Sequence, residues 1–493
     1  RVEVTELQPT SPVRVTTPVK AHLADGSIIV YWTGVDVTDS VLDGAGWRYT
    51  PTLQDSVRIR SVLLDSVVGL ESFETGKDSG RTLAASIPAS IAGGAAAAFG
   101  AALLMVAIFG SCPTIYSDSA GVAVLESEAF PYSISRYFEA RDVDALRVMP
   151  GADGAVVLEV RNEAMETHYV DHMELLEVRH APGEAAVPDP RGMPLAVAGL
   201  RAPARAAGRD GRDIAGVLAD VDGRSHRLSD DVLAQAARDD SRDALELVIP
   251  RPAGRDTVAL VLRMRNSLLT TVLLYDMMLA DAGAAAVDWI GSDLAQVGPA
   301  VELWAWYAGN MGMTVEVHDG TAWERVDRIP DAGPVGWTDV AVRIPVPPSG
   351  DSLRVRLGSV ADAWRIDAAR FALDVRAAES VVVPAAAVIG PDRREDPAAL
   401  RWISASDNER LVTRPGDRYW VRFEPPPTRS ERTYFLATEG YYVEWVRGSW
   451  ARGSARDTFQ PGRSDILPEL LARWAARRNA FERDFENYRV PVR

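Results

Sequence analysis

The chain has 493 residues, 53 basic against 69 acidic, for a formal charge of −16, which argues against a phosphate-binding surface and so against nucleic acid as a partner. A hydrophobic fraction of 47% and a charged fraction of 25% are those of a globular protein, long enough for roughly two to four domains with buried cores. Cys112 is the sole cysteine, which excludes an intrachain disulfide and leaves the redox compartment open. The chain opens at Arg1; removal of an export leader would fit the extracytoplasmic setting we expect.

Residues 1–82 are expected to form an N-terminal β module. Val13–Thr17, Ser27–Trp32 and Ser56–Leu64 are β-branched runs separated by Gly, Asp and Pro turn signals. Residues 83–111 come next as one apolar element, with no charge between Arg81 and Asp118, and Ala84 to Gly110 reads AASIPASIAGGAAAAFGAALLMVAIFG. A helix of about 27 residues covers roughly 40 Å, enough to cross a hydrocarbon core of about 30 Å. Ala89, Gly93, Ala97 and Ala101 recur at four-residue intervals, a stripe of small residues along which helices approach closely in a bilayer. Leu104 and Phe109 belong to its lipophilic second half.

Pro88 and Gly93-Gly94 could instead fold this segment into a helical hairpin, and a helix buried in protein is the non-membrane alternative. With Lys77 and Arg81 before it and Asp118, Glu126 and Glu128 after it, a spanning helix would put the N-terminal module in the cytoplasm. A re-entrant or surface-lying helix would keep both flanks on one side.

A second β module is expected over 112–180, with strands at Val122–Leu125, Ala155–Val160 and His168–Val178. Residues 181–243 are expected to be a linker, rich in Ala, Pro, Gly and Arg up to 213, with a short helix at Ser229–Arg238 capped by Ser229. Residues 244–378 carry Ala244–Ile249, Thr257–Met264, Thr314–His318, Val340–Ile344, Ser352–Leu357 and Arg370–Val375 at the spacing of a β-sandwich. A linker over 379–400, a C-terminal β region over 401–460 and an amphipathic helix over 461–493 complete the expectation. In that helix Ile466, Leu470, Trp474, Phe481 and Phe485 share one face. The expected fold is therefore mainly β: several sandwich-like modules, one Ala/Gly-rich helix or hairpin, and a C-terminal helix. The stretches 158–167 and 262–271 share Arg-Asn in register, which suggests a weak internal duplication.

Candidate chemistry is sparse. His168 and His172 lie four apart, with His180 nearby, but the setting is strand-like and lacks the His-Glu-x-x-His arrangement of a metal helix. Cys112 has no cationic residue beside it in sequence and fits a buried thiol better than a nucleophile. Residues 69–78 lack the glycine spacing and hydroxyl of a phosphate loop. No catalytic, metal or cofactor-binding residue is therefore assigned. Eleven of the thirteen tryptophans come after residue 288; most suit a core, and Trp445 and Trp450 are candidate partner contacts.

Three stretches, SCPTIYSDSAGVAVLESEAF from Ser111, RNEAMETHYVDHMELLEV from Arg161, and RPGDRYWVRFEPP with YFLATEGYYVEW from Arg414 onward, carry a family resemblance. Together they resemble a group of uncharacterised bacterial β-rich proteins in which a Cys-Pro dipeptide comes after a hydrophobic stretch. The likeness covers residues 112–180 and 400–450 and implies no activity. The broader profile, large and mostly β with an apolar attachment element, resembles the membrane-extrinsic structural subunits of bacterial photosynthetic reaction centre–antenna complexes. The expected protein is a non-enzymatic scaffold on the periplasmic face, bound to membrane lipid and to an integral membrane complex. A carbohydrate-binding or envelope-adhesion protein is the alternative, and a carboxylate-based hydrolase is a third.

Overall fold

The computed structural model describes residues 12–50, 56–72, 112–407, 409–452 and 459–488. The apolar segment with Ala89, Gly93, Ala97, Ala101, Leu104 and Phe109 lies outside the described residues.

The fold is mainly β, built from antiparallel sheets. In the N-terminal sheet, Val13–Val15, Val35–Val37, Val41–Tyr49, Ile28–Tyr31, Val19–Leu23 and Val67–Ser72 lie side by side, with Ser56–Leu63 on Val41–Tyr49. Its last strand is Val446–Arg447, from near the other end of the chain. Val15, Val19, Ile29, Leu42 and Leu70 are buried in its core.

The central sheet runs Ala140–Ala145, Glu431–Glu444, Glu166–His180, Ser380–Ile389, Arg418–Phe423, Val156–Arg161, Thr114–Ser119 and Val122–Glu128. Ser380–Ile389 turns its corner. Its first half pairs with Glu166–His180 and its second with Arg418–Phe423, with an irregularity between Ala385 and Ala387, the device by which a strand passes from one layer to another. The expected linker over 379–400 is thus this strand plus the helix Pro397–Trp402. Pro384, at its middle, argues against a strand in sequence and sits next to the irregularity.

A two-sheet sandwich is inserted between Glu166–His180 and Ser380–Ile389. One layer is Ala185–Pro188, Pro194–Arg201, Trp364–Ala377, Thr257–Asn266 and Thr338–Pro345; the other is Arg205–Ala207, Arg242–Pro250, Ser352–Val360, Met313–His318 and Trp323–Ile329. The expected linker over 181–213 therefore supplies three sandwich strands. Its short apolar runs find partners across the sheets, which composition alone does not reveal. Leu247, Leu260, Leu262, Val315, Val355 and Phe371 pack between the layers in one core with Ile466, Leu470 and Trp474 of the C-terminal helix Ile466–Tyr488.

An excursion between Asn266 and Met313 is helical. It contains Leu269–Thr271, the π-wound stretches Val272–Ala280 and Trp289–Asp293, Ala285–Asp288, and the helix Val297–Asn310. Among the described residues no single helix is long and apolar enough to cross a membrane; Leu269–Ala280 and Ala285–Asp293 pass by length and composition only as a pair bent by 107°. Their apolar side chains enter the cores of the N-terminal sheet and of the sandwich. The suggested duplication ends at the Arg-Asn pair. Both stretches begin as strands, but the first continues into Glu166–His180 and the second into the helical excursion.

Candidate functional site

A dense buried polar cluster lies where the N-terminal sheet meets the central sheet. Alternation along Val19–Leu23 puts Lys20 and His22 on one face, and strand pairing sets Lys20 opposite Glu71. Glu71 Oε2 lies 3.4 Å from Lys20 Nζ and 3.0 Å from His22 Nε2, while Oε1 accepts from Thr167 Oγ1 at 3.0 Å. Trp445 Nε1 donates to the same Thr167 hydroxyl at 3.0 Å, and its indole stacks on the His22 ring at 3.8 Å. Burial would raise the Glu71 carboxyl, but Lys20, His22 and Arg414 overcome it and hold Glu71 below the usual carboxylate range.

One residue before Thr167, the electrostatics reverse. Glu166 and Glu444 are cross-strand partners, both buried. Glu166 Oε1 accepts from the Cys112 amide and lies 2.6 Å from His168 Nε2, and Glu444 Oε1 accepts from Arg447 Nη2 at 3.1 Å. Burial pushes Glu166 up to about 8 and raises Glu444 as well. Burial lowers His168 to about 3, so at neutral pH the ring is uncharged and its Nδ1 meets Thr413 Oγ1 at 3.1 Å. Glu166 Oε2 and Glu444 Oε2 are buried without a hydrogen-bond donor. A proton shared between the two carboxyls satisfies both and keeps one negative charge out of the interior.

Cys112 is buried, and its Sγ lies 3.4 Å from Glu128 Oε1. Burial raises the thiol, with Glu128 and Glu166 adding to the effect, which is the environment of an unreactive cysteine. Glu128 reaches the sandwich, accepting from the amides of Val335 at 2.5 Å and Gly336 at 2.7 Å; burial outweighs these bonds and lifts it to about 7. The junction thus ties all three sheet systems together, through the charge-paired Glu71 on one side and through Glu166 and Glu128, which burial raises, on the other.

Of the residues singled out in sequence, Trp445 is 6% exposed and belongs to this junction. Trp450 is half-buried, 5.4 Å from the Tyr275 ring and under the Arg447 guanidinium. Both indoles make contacts inside the chain, and Trp450 keeps part of its surface exposed. His168 is fully buried, while His172 and His180 are half-buried. Among the described residues no group of three or more His, Cys, Asp or Glu is placed to hold a metal ion. Sequence reasoning missed Glu71, Arg414 and Glu444. The available signal was charge inside otherwise apolar strands, as at Glu444 between Val443 and Trp445.

A second polar spot lies inside the sandwich. His226, Asp243, Asp362 and Trp364 line a cavity of about 30 Å³, where His226 Nε2 and Trp364 Nε1 have no hydrogen-bond partner. That volume admits water but is far below the roughly 300 Å³ of a small-ligand pocket.

No family model matches the chain, and no curated protein matches it. Two solved structures give faint likenesses. A GH31 α-xylosidase from Xanthomonas citri matches at 10% identity and a TM-score of 0.15, over 85% of this chain and 38% of the enzyme. The infectious bursal disease virus Gt strain structure matches at 11% identity and a TM-score of 0.12, over 70% of this chain and 93% of that one. The chain spans well under half of the xylosidase. Likenesses at these scores carry no functional weight.

Proposed function

We propose that the chain is a non-enzymatic structural protein that attaches to a membrane from one side and braces an integral membrane complex. One observation supports its one-sided form: the two flanks of the uncharged segment converge. Glu71, ten residues before Arg81, bonds Thr167, and Cys112, just after Gly110 and Ser111, bonds Glu166, the neighbouring residue on the same strand. The N-terminal and central sheets are further joined through Val446–Arg447 on Val67–Ser72 and Trp445 on His22. Flanks that meet in one packed junction favour a re-entrant or surface-seated attachment over a single span with the two modules on opposite faces. Two crossings need about 40 apolar residues, more than Ala84 to Gly110 offers. A re-entrant or surface-seated attachment remains for a membrane-bound chain.

The finer form of the proposal is a periplasmic subunit of a photosynthetic reaction centre–antenna assembly. Gentle detergent extraction of native membranes, with mass spectrometry of co-migrating chains, tests it. We expect stoichiometric co-migration with an integral, pigmented complex; a chain that runs alone or washes off with salt would contradict it.

The outer face of the sandwich favours the carbohydrate-binding alternative. There Trp323 lies under Arg354 and Arg356, which bond Glu246 and Glu316, with His318 against the indole edge, a set of groups suited to a sugar ring and its hydroxyls. Glycan-array binding abolished by Trp323→Ala would support that reading, and an array without signal would remove it.

A further inference from the structure

The helix Val297–Asn310 turns one face inward and leaves the other bare. Ala300 and Leu303 are buried, Tyr307 packs on Tyr132 and Trp306 on Phe459. Val297, Val301 and Trp304 are 58%, 56% and 60% exposed, and their spacing of four and three residues aligns them along one side of the helix. Exposed Ala305 extends the strip, and Glu302 is the helix's one charged residue. Scattered exposed hydrophobics need no explanation, but an aligned strip ending in tryptophan marks a contact surface.

Its surroundings point to the occupant. Between Asn266 and Met313 there is no Lys, Arg or His. The acids there are largely occupied: Asp276 by Arg477, Asp281 by Arg473, and Asp288 by the amides of Thr16 and Thr17. The excursion also sits where the uncharged segment departs and returns. Gly291 leaves no room for a Cβ against Ser72, the last described residue before the segment, and Tyr132, on which Tyr307 packs, lies in the same buried cluster as Cys112 and Glu128.

We propose that the Val297–Val301–Trp304 face seats on a lipid bilayer at the headgroup–acyl boundary, beside the departure point of residues 73–111. This rests on the one-sided attachment proposed above and deepens it by naming the surface that meets lipid. The strip itself carries no basic residue, and Arg242 is tied up by Asn310 at the far end of the helix, so the contact is apolar rather than electrostatic, unlike a basic amphipathic helix. It should therefore hold on neutral lipid and in high salt.

The test is flotation of the full chain with phosphatidylcholine vesicles, at low and high salt, with and without anionic lipid. The wild type is expected to float with neutral vesicles regardless of salt. Combined Val297→Ser, Val301→Ser and Trp304→Ser should weaken partition roughly tenfold or more, from the apolar area kept in water. The thermal midpoint should not move, since all three side chains are exposed; if it does, Trp304→Ser alone serves, with a smaller loss. If the triple variant floats like the wild type while deletion of 84–110 abolishes flotation, the helix face is overturned and the attachment reading stands. A wild-type chain that stays in solution overturns both, as does self-association lost in the triple variant without any vesicle binding. Flotation that requires anionic lipid and fails in salt overturns the apolar contact.

Discussion

Two regions of the molecule bury charge in opposite ways. At the clasp between the sandwich and the C-terminal helix, Asp362 accepts from Arg365 at 3.0 Å, Arg478 at 2.9 Å and Trp474 Nε1 at 2.8 Å, and Arg365 also meets Glu482 at 2.5 Å. Burial opposes the charge on Asp362, but the two guanidiniums overcome it and leave the carboxyl below its ordinary value. At the junction, Arg447 bonds Glu444 and acts on Glu166 only from a distance, and burial wins. The clasp neutralises by pairing, as Glu71 does with Lys20 and His22, whereas the Glu166–Glu444 pair of the junction neutralises by protonation. A paired acid and a protonated acid answer pH with opposite sign, so the two regions can be separated by titration.

The largest effect should come from breaking the pair. Asp362→Ala takes the shared buried carboxylate from two guanidiniums, leaving Arg365 with Glu482 and Arg478 with Asp230, and should cost about 3 kcal/mol, read from the urea transition that reports the sandwich. Next comes the pH response. Glu166 is raised from 4.5 to about 8 and Glu128 to about 7, so the folded chain holds protons that the unfolded chain releases. Their contribution is complete below about pH 4.5 and is lost as pH rises toward 8, by at most about 1.4 kcal/mol per unit and per group. Glu166→Gln should flatten that slope; a slope equal to wild type would remove the shared-proton account. The clasp behaves conversely, since the contribution of Asp362 is present above 3.8 and lost on acidification below it. Trp445→Phe keeps the stacking surface but removes the bond to Thr167, and should cost about 1 kcal/mol. Smallest is Ser229→Ala, which removes the cap that accepts from Val232 N at 3.4 Å and should cost about 0.5 kcal/mol by thermal melting.

Strands with alternating or β-branched patterns were legible: Ser56–Leu63, Val156–Arg161, Thr257–Asn266 and Ser352–Val360 lie where the sequence places them. The C-terminal helix was legible from its apolar face, and the Asp230–Arg238 helix from its capping serine. Three things were hidden. The strands between 185 and 207 are short and Ala/Pro-rich, and they acquire meaning only through their partners. The excursion from Leu269 is apolar all round because it packs in two cores at once, so no helical period stands out. The junction joins Glu71, Glu166 and Glu444, which strand pairing alone brings together, and no local pattern encodes that. Trp304 was visible among the tryptophans, but its exposure was not.

Sidedness tests the central claim most directly. Cysteines introduced singly at exposed Val57 of the N-terminal sheet and Val382 of the central sheet would be treated with an impermeant maleimide in sealed vesicles carrying the bound chain, with Cys112 buried and silent. One-sided attachment requires that both positions label or both be protected in the same preparation. Labelling of one with protection of the other would place the modules on opposite faces and contradict the account.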